Sequence, residues 1–420
     1  MVASDREIVD AVAACEPVMV ELLSRLVEAP TTLGNEEPGQ VVMTDAFRGI
    51  LGLEPVDVAM DAELLRSHPR AAPFEWDVTG KRNVVADWPA AGDTGRSLVL
   101  NGHVDVVGPA SERLWRTPPF SAVRDGEWLY GRGSGDMKGG LAAMVGAIAG
   151  LQRLGLAPLA PLQLQSVVEE ECGGNGALLC AVTGLHADAV VIPEPYPGFI
   201  PTAQVGVLWF HVDIAGSPAH VAEAAEGVNA IEAAYAVVQE LHVLEDELNA
   251  DPPSPFDAVP HPINLNVGVI SGGDWPSTVA AECTLSCRVA TYPGASIDEL
   301  RRRVEETVAR AAVANAYLAE HPPVVRYSGF ANEGTVLDES EPVFGALAAA
   351  WRAVAGEDVA TGPTTATTDA RAFVGEGMPT ACIGPYAEHI HGVDERVHLP
   401  SVVQTAQVLA LLVRDWCGVA

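Results

Sequence analysis

The chain has 420 residues, 48 % of them hydrophobic and 19 % charged, the make-up of a globular protein long enough for two domains. Its formal net charge of −32, with no basic stripe to offset it, argues against nucleic acid and against anionic membrane surfaces as partners. No apolar run is long enough to span a bilayer, and Asp5, Glu7 and Asp10 stand where a secretory signal would be basic and then apolar, so the expected location is cytoplasmic.

Residues 9–28 have the periodicity of an amphipathic helix, and 83–88 and 97–107 are β-branched runs that read as strands. A small-residue helix over 141–155 follows, then strands at 162–171 and 188–195. Strands separated by helices in this way predict an α/β fold with a mostly parallel sheet flanked by helices. Near residue 204 the pattern changes. A half-exposed strand over 204–216, a helix over 227–248, two strands within 263–293, a helix over 296–320 and a short strand at 322–330 predict an inserted α+β sandwich. The α/β pattern returns with a helix at 342–356, a Thr-rich loop, a strand at 379–385 and a closing helix from 402. The expected division is therefore 1–204 with 331–420 as one domain and 205–330 as the insertion. Seven cysteines, odd in number and without CxxC spacing, suggest reduced core thiols rather than disulfides or a zinc ribbon.

Polar residues interrupt the apolar runs where strands end, and in open α/β sheets ligands gather at those ends. They are His103 and Asp105 in NGHVDVV, Asp136 in GRGSGDMKGG, the glutamates 169–171 in EEECGGNGA, Glu194 in PEP, and His391 in HGVDERV. Each alone has a plain structural explanation, such as a satisfied polar pair or a solvated acidic face. Together they bring imidazole and carboxylate to one sheet edge from five loops, a donor mixture suited to zinc, cobalt or manganese rather than to calcium or magnesium.

This ordered set resembles the binuclear zinc metallopeptidase and deacylase family of acetylornithine deacetylase, succinyl-diaminopimelate desuccinylase, glutamate carboxypeptidase and the aminoacylases. The resemblance implies two divalent metal ions per chain. It places His103 and Glu194 on one metal, His391 and Glu171 on the other, and Asp136 as the bridge. It makes Asp105 the residue that fixes the tautomer of His103 through its other ring nitrogen, and i, i+2 residues of a strand do share a face. Glu170 becomes the general base, taking a proton from water and returning it to the leaving amine, while Glu169 receives no chemical role.

In the insertion, His220 of GSPAH matches the family's oxyanion donor, which acts in the partner subunit of a dimer formed through this lid. Arg288 matches a substrate-carboxylate ligand and Thr367 a substrate-contacting residue. Where relatives have Asn, two apolar residues and Pro, this chain has Ser277 followed by TVAAE, so one lid contact departs from the pattern. The implied reaction is hydrolysis of the acyl–amide bond of a small anionic N-acyl amino acid. A dipeptidase or carboxypeptidase and a ureido or carbamoyl hydrolase would use the same site. A non-catalytic binding protein on the same fold would have lost Glu170 or metal ligands, and none is lost.

Overall fold

The computed structural model describes residues 3–313 and 315–420. Its main sheet has six strands in the order Pro55–Ala59, Arg82–Trp88, Leu162–Val167, Leu98–His103, Ala189–Ile192 and Thr380–Cys382. The last four run parallel, Arg82–Trp88 runs against them, and Pro55–Ala59, antiparallel to Arg82–Trp88, runs their way again, so the sheet is mixed with one reversed strand. Chain length explains the mixture: the link over 89–97 is too short for a helical crossover, so Arg82–Trp88 and Leu98–His103 lie on opposite sides of Leu162–Val167 and run in opposite directions.

Helix Gly139–Arg153 is buried along most of its length between the sheet and its helical neighbours. Its small residues permit close approach. A Cβ on Gly146 would come within 2.2 Å of the Met19 sulfur, and one on Gly150 within 2.4 Å of Val12. The expected single helix over 9–28 is two, Asp5–Ala13 and Glu16–Glu28, because Pro17 suits only the first turn of a helix.

The second sheet orders Leu265–Gly272, Glu282–Thr291, Gly206–Ala215 and Val324–Arg326, all antiparallel. Alternation along Gly206–Ala215 sends Leu208, Phe210, Val212 and Ile214 against helices Ala230–Leu248 and Ile297–Val313, forming a hydrophobic cluster separate from that of the main sheet. The opposite face carries Trp209, His211, Arg288 and Ser286. The helix expected over 296–320 appears as Ile297–Val313 and Ala316–Glu320, the second capped by Asn315; position 314 lies outside the described residues. Among the described residues no helix is long and apolar enough to cross a membrane.

Candidate metal centre

His103 is the last residue of a central parallel strand and is 1 % exposed. Asp136 lies in the non-helical stretch before helix Gly139–Arg153, Glu194 just beyond strand Ala189–Ile192, and His391 in the loop after Ala387–Glu388. Nε2 of His103 stands 3.2 Å from Asp136 Oδ1 and 3.8 Å from Glu194 Oε1. Nε2 of His391 stands 3.4 Å from Asp136 Oδ2 and 3.0 Å from Glu171 Oε2. Asp136 thus faces an imidazole–carboxylate pair with each oxygen, and ligand atoms of His103, Asp136 and Glu171 all lie within 4.8 Å of one another.

The electrostatics fit a cation site. Burial, reinforced by the charge of Asp136, pushes the Glu194 carboxyl well above the usual range and raises that of Glu171. Burial also opposes the two imidazolium ions, but the surrounding carboxylates outweigh it, raising His103 well above the usual value and His391 to about 11. Burial acts against ionised Asp136 too, yet the two imidazoles hold it well below the normal carboxylate range. Carboxylates this close and this buried call for positive charge among them, and the mixed nitrogen–oxygen donors suit borderline divalent metals.

The glutamate triplet divides its tasks. Glu169 has a left-handed φ of 67° and turns away from the site, accepting from Lys81 Nζ at 2.9 Å and Trp76 Nε1 at 2.7 Å. Glu170 and Glu171 both line a cavity of about 520 Å³ beside the cluster. Asp105 differs from expectation in one respect. Nδ1 of His103 meets the Asp105 backbone carbonyl at 2.9 Å, with the carboxylate 3.7 Å away. The carboxylate instead accepts from the backbone N–H groups of Glu170 at 3.3 Å and Glu171 at 3.0 Å. The strand ends at His103, so same-face alternation no longer governs residue 105.

Arg288 and Thr367 line the same cavity. His220 does not: it is exposed at the start of a 3₁₀ turn, where its Nδ1 accepts from the Ala222 N–H at 3.1 Å.

Residues 99–415 match the family described as Peptidase family M20/M25/M40. The chain belongs to this family. As an M20/M25/M40 member it is a hydrolase acting on amide bonds, as the resemblance in its motifs implied. An N-formyl-4-amino-5-aminomethyl-2-methylpyrimidine deformylase from Halalkalibacterium halodurans is 31% identical over 363 residues, covering 81% of this chain and 84% of the relative. An acetylornithine deacetylase from Proteus mirabilis is 28% identical over 347 residues, with coverage of 81% and 84%. The solved structure of the di-peptidase Dug1p from Saccharomyces cerevisiae shares the fold, with a TM-score of 0.81 at 15% identity over 99% of each chain.

Three supporting residues of this M20/M25/M40 member escape a reading of its motifs. Arg132 and Glu395 form a fully buried ion pair. Arg132 Nη2 donates to the carbonyls of His391 at 3.2 Å and Gly392 at 3.0 Å. Glu395 Oε1 accepts from the N–H groups of Gly135 at 3.0 Å and Asp136 at 3.2 Å. One ion pair therefore joins the loop of the central carboxylate to the loop of His391. Arg371, the third residue, donates to the Thr368 carbonyl at 2.6 Å and reaches Glu170 Oε1 at 3.5 Å. Arg132 and Glu395 sit inside GRGSGD and HGVDERV, but a pairing across such sequence distance leaves no periodic signal.

Proposed function

We propose that the chain is a dinuclear metal-dependent amidohydrolase that splits the acyl–amide bond of a small N-acyl amino acid into a carboxylate and an amine. The observation that carries this reading is Asp136 between two imidazole–carboxylate pairs, with Glu170 outside both pairs on the same cavity wall. In this reading His103 and Glu194 would hold one cation and His391 and Glu171 a second, with Asp136 available to both. Zinc is the favoured metal, with cobalt and manganese as alternatives. Bound there, such cations polarise an amide carbonyl and make a water acidic near neutral pH.

The rest is work for the chain's own side chains. Glu170 accepts a proton from the attacking water and delivers it to the departing nitrogen. Arg371 holds the Glu170 carboxylate in place, and Asp105 fixes the turn that carries it. Arg288 binds the substrate carboxylate, with Thr367 beside it. Residues 205–330 act as an inserted lid and dimerisation domain on a catalytic domain of 1–204 and 331–420, a reading supported by the two separate hydrophobic clusters. The lid's edge strand Leu265–Gly272 exposes Val269 and Ile270, with exposed Trp275 and Tyr235 on the same domain, which supports a homodimer that brings His220 of one chain to the other's oxyanion.

The test is elemental analysis combined with a hydrolysis panel of N-acetyl-, N-succinyl- and N-carbamoyl-amino acids and dipeptides. Two divalent metals per chain, activity lost to chelators and preferred cleavage of the N-acyl compounds are expected. No stoichiometric metal together with chelator-resistant activity would reject the reading. The relative at 31% identity favours a second reading, removal of a formyl group from an aminomethylpyrimidine, so that compound belongs in the panel.

A further inference from the structure

The amidohydrolase reading leaves the substrate's side chain open, and the inference that follows rests on that reading. The cavity beside the cluster is lined by two unlike sets of side chains. Its only carboxylates among the described residues are Asp136, Glu170, Glu171 and Glu194, all belonging to the candidate metal and proton-transfer machinery. Besides the threonine-rich stretch at 365–368, the rest of the lining is largely apolar and aromatic, with Tyr196, Val207, Trp209, Phe330 and Ile390.

Trp209 and Phe330 meet edge to face, with centroids 5.3 Å apart and planes at 66°. Gly329 makes room for the indole: its φ is +89°, and a Cβ there would lie 2.4 Å from the Trp209 ring. The Arg371 guanidinium covers the Phe330 ring at 4.9 Å. The aromatic pair is therefore braced before any ligand arrives, and a rigid, braced wall loses little freedom on binding.

Strand register adds charge to this wall. Arg288 lies directly opposite Trp209 across the antiparallel pair, so the two side chains leave the sheet next to each other on one face. Arg288 donates to the Asn264 carbonyl at 3.3 Å and forms no ion pair with any described residue. In a chain of net charge −32, this guanidinium has been left without an acid.

We infer that the substrate is an N-acyl derivative of an amino acid with an apolar side chain, preferably aromatic, its carboxylate on Arg288 and its side chain against Trp209 and Phe330. A cationic side chain such as that of ornithine would lose water next to Arg288 without gaining a counter-ion. An aromatic side chain gains both apolar contact and ring–ring packing. Hydrolysis then places water oxygen on the acyl carbon, breaks the C–N bond and sends the water's proton to the leaving amine.

Metal-loaded protein should be tested on N-acetylphenylalanine, N-acetylalanine, N-acetylornithine, N-acetylphenylalaninamide and the formylated pyrimidine. N-acetylphenylalanine should exceed N-acetylornithine and the amide in kcat/KM by at least about tenfold, within the range that one pocket contact discriminates. Trp209→Ala should collapse the phenylalanine-over-alanine ratio by about tenfold, and Trp209→Phe should keep most of it. Binding of N-acetylphenylalanine and N-acetylornithine to metal-loaded Glu170→Gln, read by calorimetry, should show the same order. Equal or better use of N-acetylornithine, or preference for the pyrimidine over every N-acyl amino acid, overturns the inference. If nothing in the panel is hydrolysed while calorimetry keeps the predicted order, the amidohydrolase reading fails and the ligand class stands; loss of both rejects both.

Discussion

The two sides of Asp136 offer equivalent donors on very different supports. His103 ends a central strand, is 1 % exposed and has both ring nitrogens engaged. His391 has a side chain 50 % exposed, in a loop where His389, His391 and Asp394 all take left-handed φ values. Non-glycine residues adopt that conformation at a cost, and it persists where neighbours enforce it. The enforcement here comes from Arg132, gripping the carbonyls of His391 and Gly392. The first imidazole is held by the sheet, and the second by one buried ion pair reaching across from the loop of Asp136.

Arg132→Met attacks that asymmetry most directly. Removing one partner of a buried pair costs about 3–5 kcal/mol, so the unfolding midpoint should fall strongly. Metal content should fall, and more on the His391 side than on the His103 side, because the His391 loop loses its brace outright while Glu395 can still accept from the amides of Gly135 and Asp136. Glu395→Gln keeps an oxygen for the amides of Gly135 and Asp136 and should do less on both counts. An Arg132→Met protein that melts early but still binds two cations with parental affinity would break the comparison.

Glu170→Gln should separate chemistry from metal holding, since Glu170 belongs to neither side. Turnover should fall at least ~10²-fold with metal content unchanged, whereas Glu171→Gln should lose metal. Full turnover in Glu170→Gln would place the base elsewhere.

A smaller effect concerns the floor beneath Glu170. The Asp369 carboxyl is 1 % exposed, finds no hydrogen-bond partner among the described residues, and is pushed up to about 7 by burial and by the charge of Glu170, although Arg371 pulls the other way. In the unfolded chain it titrates near its ordinary value of about 3.9. Between those pH values the folded state keeps a proton that the unfolded state has lost. The contribution of Asp369 to stability is therefore fully present at low pH and falls as pH rises toward 7, by up to about 1.4 kcal/mol per unit. Asp369→Asn should flatten that part of the profile, read by urea unfolding at pH 5, 6 and 7. Parallel profiles for the two proteins would show that Asp369 does not titrate in this window.

The mildest expected effect is kinetic. Chelator titration should remove metal in two phases, the faster one belonging to the His391 side, and His391→Ala should abolish the faster phase. A single phase would mean that strand and loop supports hold metal equally well.

His103, Glu171 and Glu194 could be read from the chain because each stands where an apolar strand ends, whereas Asp136 lies before a helix and His391 in a loop, and only the ordered set of motifs pointed to them. The braces were hidden for the opposite reason. Arg132, Glu395 and Arg371 act through partners remote in sequence, and nothing in the local pattern of GRGSGD or TTDAR names the other end. Asp105 shows a subtler limit, since its spacing from His103 suggested the right neighbour but not which of its oxygens does the work. The sheet's one reversed strand, Arg82–Trp88, likewise followed from the length of one connection rather than from the hydrophobic pattern. In the strand that carries Trp209, alternation identified two faces, but only the register with Arg288 showed what the outer face could bind.

The glycines of helix Gly139–Arg153 extend the site's reach to a part of the chain far from any ligand. With Gly146 and Gly150 seated against Met19 and Val12, and Lys138 Nζ on the Ala29 carbonyl at 2.9 Å, the first two helices form a backstop behind the segment that delivers Asp136. A methyl group added at Gly146 would have to displace Met19 or press the helix toward the sheet, where Leu141 already meets Gly102 of the strand that ends in His103. Residues 5–29 line none of the cavity beside the cluster, yet they are the surface against which the helix following Asp136 is seated.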